Sequence, residues 1–156
     1  MKKTSAALLA LCLSLLALCA CTSGGEQADF SLEDCSRELL GSDAFTDLLS
    51  PIETETAAML YGFDASLLAE AQVYCSTGAT AEEIALFKAN DESGAADIEA
   101  ACNARVEAQK ESYSNYVPEE VPKLEKAIVR RSGVYVVYVT ANDSDEAGSI
   151  LDGYIK

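Results

Sequence analysis

Apolar and polar positions change their period along this chain, and each period names an element. Leu32, Cys35, Leu39 and Leu40 recur at helical spacing behind Ser31 and Asp34, a capping-box pattern, and Gly41 supplies a stop. Ser42 or Asp43 starts a short turn through Phe45, Leu48 and Leu49. Ser50-Pro51-Ile52-Glu53 then sets a cap, an N1 proline and a cap-box glutamate in order, predicting a third short helix through Met59 and Leu60 to Gly62.

After Asp64 the period shortens. Ser66 to Glu70 allows one more turn, and Ala71, Val73 and Cys75 alternate with Gln72, Tyr74 and Ser76 as a strand does. Thr77-Gly78-Ala79-Thr80 is a turn, and residues 83–89 return as a second strand, with Ile84 and Leu86 on one face and Ala85 and Phe87 on the other. Glu82 and Glu83 leave a helical alternative open for this stretch.

Asp91-Glu92-Ser93-Gly94 is a loop and cap, after which the longest helix runs from about residue 95 to 116. Its stripe uses Ile98, Ala101, Cys102, Val106, Tyr113 and Tyr116. Pro118 and Pro122 break the path, and a turn through Val121 and Leu124 leads into the clearest strand signal. Residues 128–131 and 134–140 flank Ser132-Gly133, a tight turn that predicts Val129 opposite Val136. Both faces of this hairpin are apolar, which calls for a central or doubly covered position. A last helix, opened by Asp143 to Glu146, aligns Ala147, Ile150, Leu151, Tyr154 and Ile155, and Lys156 suits its C-terminal dipole. Two hairpins separated by a helix join into one sheet, so the expected class is α+β: an antiparallel four-stranded sheet from two hairpins, a long helix between them, and further helices at both ends.

The first residues follow a different logic. Lys2 and Lys3 precede an apolar stretch over residues 6–18 relieved only by Ser14. At about 1.5 Å per residue it covers about 20 Å, short of the ~30 Å hydrocarbon core, and so reads as a signal-peptide h-region. Leu18-Cys19-Ala20-Cys21 resembles the lipobox of bacterial lipoprotein precursors. That resemblance implies cleavage after Ala20 and a diacylglyceryl thioether on Cys21; an ordinary secreted protein cut after Ala20 is the plainer alternative. The expected organisation is a signal peptide over residues 1–20, a lipidated cysteine and flexible tether over 21–29, and a single α+β domain over 30–156. Each buried methylene contributes about 0.8 kcal/mol, so two or three acyl chains anchor durably. The tether spans at most about 28 Å, which keeps the domain against the extracytoplasmic face of the cell membrane.

Charge narrows the partners. The chain carries 26 acidic and 11 basic residues, a net −15. Loss of Lys2 and Lys3 takes this to −17. Such a surface repels nucleic acid and anionic headgroups, which leaves the lipid on Cys21 as the expected contact with the membrane.

Chemical signatures are sparse. The chain has no histidine, which removes the usual neutral-pH base, the serine and cysteine triads and most zinc sites. No cofactor or metal is expected. Asp143-Ser144-Asp145-Glu146 begins like a calcium loop, but Tyr154 stands where the bidentate glutamate belongs, so an acidic helix cap is the preferred reading. Of six cysteines, Cys12 and Cys19 leave with the signal and Cys21 takes the lipid, which leaves Cys35, Cys75 and Cys102 as thiols. An exported domain permits a Cys75–Cys102 bridge, while buried free thiols are the simpler state. Tyr113, Tyr116, Tyr135 and Tyr138 are candidates for an exposed aromatic patch, against the commoner case of rings buried with the hydroxyl at the edge. Arg130 and Arg131 are the basic pair beside the last turn.

Leu60-Tyr61-Gly62-Phe63-Asp64, Ala81-Glu82-Glu83-Ile84-Ala85-Leu86-Phe87-Lys88, Arg105-Val106-Glu107-Ala108-Gln109-Lys110 and Gly133-Val134-Tyr135-Val136 resemble, in that order, the landmarks of a family of small lipoproteins known as domain of unknown function 4358. The resemblance covers about residues 55–156 and implies the domain and its address without a mechanism. With no catalytic signature, the expected role is a non-catalytic binding or interaction module whose partner is an envelope protein, peptide or glycan. The alternative is a carboxylate-dependent cell-envelope hydrolase, which needs two acids about 5 to 9 Å apart in a cleft.

Overall fold

The structure, a computed structural model, describes residues 28–156. The predicted leader, the cleavage point at Ala20, Cys21 and the tether to residue 27 lie outside the described residues. Five strands, β1 (Ser50–Pro51), β2 (Leu68–Cys75), β3 (Glu83–Ala89), β4 (Ile128–Ser132) and β5 (Tyr135–Thr140), form one sheet in the order β1-β2-β3-β5-β4. Every neighbouring pair is antiparallel. The helices are α1 (Leu32–Leu40), α2 (Thr54–Tyr61), α3 (Glu92–Tyr116), α4 (Val121–Glu125) and α5 (Ser144–Leu151).

The predicted four strands are present, and β1 adds a fifth where a helix start was expected. Ser50 pairs with Cys75 and Pro51 with Tyr74, and Ile52 N donates to Val73 O at 2.8 Å. Proline has no N–H to give a ladder, but on an edge strand nothing is lost by that. The helix therefore opens later, at Thr54, with Glu53 as a cap whose side chain bonds nothing. The turn expected from Ser42 or Asp43 does not become a helix either. Thr46 N and Asp47 N donate instead to the Glu82 carboxylate, at 2.8 and 3.0 Å, so a distant side chain takes the donors that a helix would use.

β3 and β5 are central and covered on both sides, which explains their unbroken apolar runs. Ile84, Leu86, Val137 and Val139 pack under Leu32, Cys35 and Leu39 of α1 and Ala147 and Leu151 of α5. Ala85, Phe87, Val136 and Tyr138 pack under Ala57 and Tyr61 of α2 and Ile98, Cys102 and Val106 of α3. Burying a side chain such as Phe87 fully is worth roughly 2–3 kcal/mol.

α3 starts at Glu92 because Asp91 accepts from Gly94 N at 2.8 Å, earlier than the stripe alone suggests. The β4–β5 register also differs from expectation: Val129 faces Tyr138, and Val136 faces Arg131. The turn residues are Gly133 and Val134 rather than Ser132 and Gly133, since the positive φ of 56° at Gly133 fits the first central position of a hairpin turn. Moving the turn by one residue slides the pairing by two, so each side chain keeps its face. α5 ends at Leu151, which leaves Lys156 beyond the helix terminus it was expected to complement.

Candidate functional site

The four tyrosines do not form a shared surface. Tyr135 and Tyr138 are three apart on a strand, which sends them to opposite faces. Tyr135 stacks on Phe30 with centroids 4.7 Å apart and donates to Asp29 Oδ1, whereas Tyr138 is buried beneath α2 and α3 and accepts from Thr140 Oγ1. Tyr113 is buried and donates to Thr80 O at 2.6 Å, and Tyr116 alone of the four is exposed, at 77%. Cys35, Cys75 and Cys102 are free thiols, and Cys35 lies across the sheet from the other two. Burial first and the Glu83 charge second push Cys75 up to about 12, so it stays a protonated, unreactive thiol. Arg130 donates to Asp152 and to Ile155 O, Arg131 donates to Glu99, and Asp143 caps α5 by accepting from Asp145 N and Glu146 N.

Two acids that the sequence reading treated only as a helix hint are the most buried charges described. Glu82 and Glu83 are successive residues of an extended segment and therefore point to opposite sides of the sheet. Glu82 accepts from Thr46 Oγ1 at 2.6 Å and Lys123 Nζ at 2.8 Å, besides the two backbone donors of residues 46 and 47. Burial works against its charge, but the ammonium, the hydroxyl and the backbone donors outweigh it and hold the carboxyl below its ordinary value.

Glu83 is held on the other face. Arg105 of α3 reaches it with two parallel bonds, Nε to Oε1 at 2.8 Å and Nη2 to Oε2 at 2.7 Å, and Tyr61 Oη donates to Oε1 at 2.5 Å. The guanidinium also lies 5.0 Å over the Tyr61 ring. Burial and then the Glu83 charge raise the Tyr61 hydroxyl well above its ordinary value, so it remains a donor. Glu82 and Glu83 thus share no cleft; Arg105 engages Glu83, and Lys123 engages Glu82 together with Glu120, whose Oε2 lies 3.1 Å from Nζ. The geometry that two-carboxylate hydrolysis requires is not formed by this pair.

Above the Tyr61–Arg105–Glu83 group runs a groove of about 270 Å³ between α2 and α3. Tyr61 and Arg105 line it together with Met59, Leu60, Gly62, Ala104, Ala108 and Gln109. Met59 is 83% exposed and Leu60 44%, although both are large and apolar. Gly62 takes the left-handed conformation at φ 79° that ends α2 beside them. A larger hollow of about 560 Å³ between β4 and α5 is lined by Lys126, Arg130, Asp145 and Asp152 among others, with Arg130 and Asp152 paired at 2.7 Å. The groove is the more apolar of these surfaces and the one that leaves large side chains uncovered. In the sequence pattern Met59 and Leu60 stand only as positions within the third expected helix. The signal was the uninterrupted run Ala57-Ala58-Met59-Leu60-Tyr61, more apolar positions than one helix face can bury.

Residues 44–141 match the family model described as domain of unknown function DUF4358. No curated protein and no solved structure matches the chain. The matched stretch contains all five strands, α3, and both walls of the groove, and leaves α1 and α5 outside it. With more than half of its length matched in this way, the chain belongs to the DUF4358 family.

Proposed function

We propose that this protein is a non-catalytic binding module of the cell envelope, held to the membrane by lipid on Cys21, whose α2–α3 groove receives an apolar side chain of a partner protein or peptide. The observation that carries this reading is the exposure of Met59 and Leu60 beside the groove, above an ion pair that is already satisfied. Methionine is unbranched and polarizable and adapts to varied apolar surfaces. Against the hydrolase alternative, Glu82 and Glu83 face apart, and the buried acids that do come together, Glu82 and Glu120, are bridged by Lys123 at 2.8 and 3.1 Å and are occupied by that cation.

The described chain starts at the β4–β5 turn, where Ala28 N donates to Ser132 Oγ and Phe30 stacks on Tyr135. Tyr135 pairs with Lys88, and Glu83 lies at the other end of β3, about 17 Å along the strand at ~3.4 Å per residue. A tether ending at Ala28 is thus attached at the end of the sheet opposite the groove. Cys21→Ser is expected to abolish fatty-acid labelling of the protein in cells, and retained label would place the lipid elsewhere. A photo-crosslinking residue at position 59 is expected to capture one reproducible envelope protein, and Ala108→Phe, which fills the groove, to prevent that capture. No capture together with measurable glycan cleavage would overturn the binding role.

A further inference from the structure

We infer that the α2–α3 groove recognises a peptide segment through an apolar side chain and a neutral backbone carbonyl, the carbonyl accepting from Nη1 of Arg105. This rests on the groove reading above and names the chemistry of its ligand. Arg105 spends Nε and Nη2 on Glu83, and among the described residues its Nη1 has no acceptor. No buried polar side-chain atom described lacks a partner, so Nη1 reaches the surface, and the residue lines the groove. A guanidinium carries five N–H donors in a fixed plane; Glu83 takes two, and of the three left two are on Nη1.

Charge decides between acceptors. The positive charge of Arg105 is matched by Glu83, whose side chain is 2% exposed, so the site offers donors without net charge. The surrounding protein carries a net −15 over the whole chain, and −17 without Lys2 and Lys3, a field that repels a carboxylate or phosphate. A neutral carbonyl keeps the hydrogen bond and avoids the repulsion. Met59, Leu60, Ala104 and Ala108 supply the apolar surface for the side chain beside it.

The test uses the full-length protein in detergent, photolabelled with a diazirine analogue of N-acetyl-leucine N′-methylamide, with labelled peptides mapped by mass spectrometry. Label is expected in residues 59–62 or 104–109. N-acetyl-leucine N′-methylamide is expected to displace it at concentrations at least tenfold lower than N-acetyl-leucine, which carries a carboxylate. Arg105→Lys keeps a cation for Glu83 and lacks Nη1, so it is expected to lose the tenfold preference. The ratio in the unsubstituted protein decides the matter even if the lysine variant folds poorly. Equal displacement by the two compounds, or stronger displacement by the carboxylate or by N-acetylglucosamine, overturns the carbonyl assignment and leaves the groove reading standing. If neither the amide probe nor an amide-free diazirine alkane labels these residues, the groove reading itself is overturned.

Discussion

At the scale of single residues, the Glu83–Arg105 pair shows how a buried charge is made tolerable. Each carboxylate oxygen has a donor, the guanidinium is bound in parallel, and Tyr61 adds a third donor from another helix. Such a pair is not a large source of net stability, but removing one partner strands the other in the core. Arg105→Ala is therefore expected to cost about 3–5 kcal/mol in urea unfolding. Tyr61→Phe, which deletes only one hydrogen bond to a charged acceptor, is expected to cost about 1.5–3 kcal/mol. A loss below about 1 kcal/mol for the alanine variant would show that water replaces the guanidinium easily. Nothing in the local pattern announced this pair: a glutamate before an apolar strand looks the same whether its partner is solvent or an arginine 22 positions away.

At the scale of elements, the capping residues were legible and the edges of the sheet were not. Ser31 caps α1 by accepting from Asp34 N at 3.1 Å, and Asp143 caps α5, as their positions before apolar runs indicated. Ser50-Pro51 carried a helix-start pattern that pairing with β2 overrode, because an edge strand tolerates proline and the ladder with Cys75 and Tyr74 offered backbone partners. Gly62 closes α2 in a left-handed conformation, and no atom stands within 4 Å of where a Cβ would project. Gly62→Ala is thus expected to cost about 1 kcal/mol through backbone strain alone, read as a lower thermal midpoint. An unchanged midpoint would mean that the helix end relaxes to another geometry.

For the whole molecule, acidity sets the pH response. Glu82 joins residues 46 and 47, the start of β3 and Lys123 of α4, so its charge ties together segments far apart in sequence. Its folded carboxyl titrates below the ordinary value of 4.5. Below that value the unfolded chain takes up the proton first, so the stabilisation is complete above about pH 4.5 and is lost as pH falls through the lower folded value. The difference in thermal midpoint between the natural protein and Glu82→Gln is expected to be constant near neutrality and to shrink below pH 4.5. A difference that stays constant down to pH 3 would show that Glu82 is not the group titrating there.

By itself the sequence determined the α+β class, the order of the main elements and the face each strand residue occupies, since the two-residue and helical periods are written locally. Only the tertiary structure decided that β1 joins the sheet, that Thr46 and Asp47 give their donors to Glu82, that the tyrosines part company, and that Met59 and Leu60 stay uncovered. Periodicity records which side chains seek burial, whereas their partners come from segments tens of residues away, and that choice depends on how the layers meet.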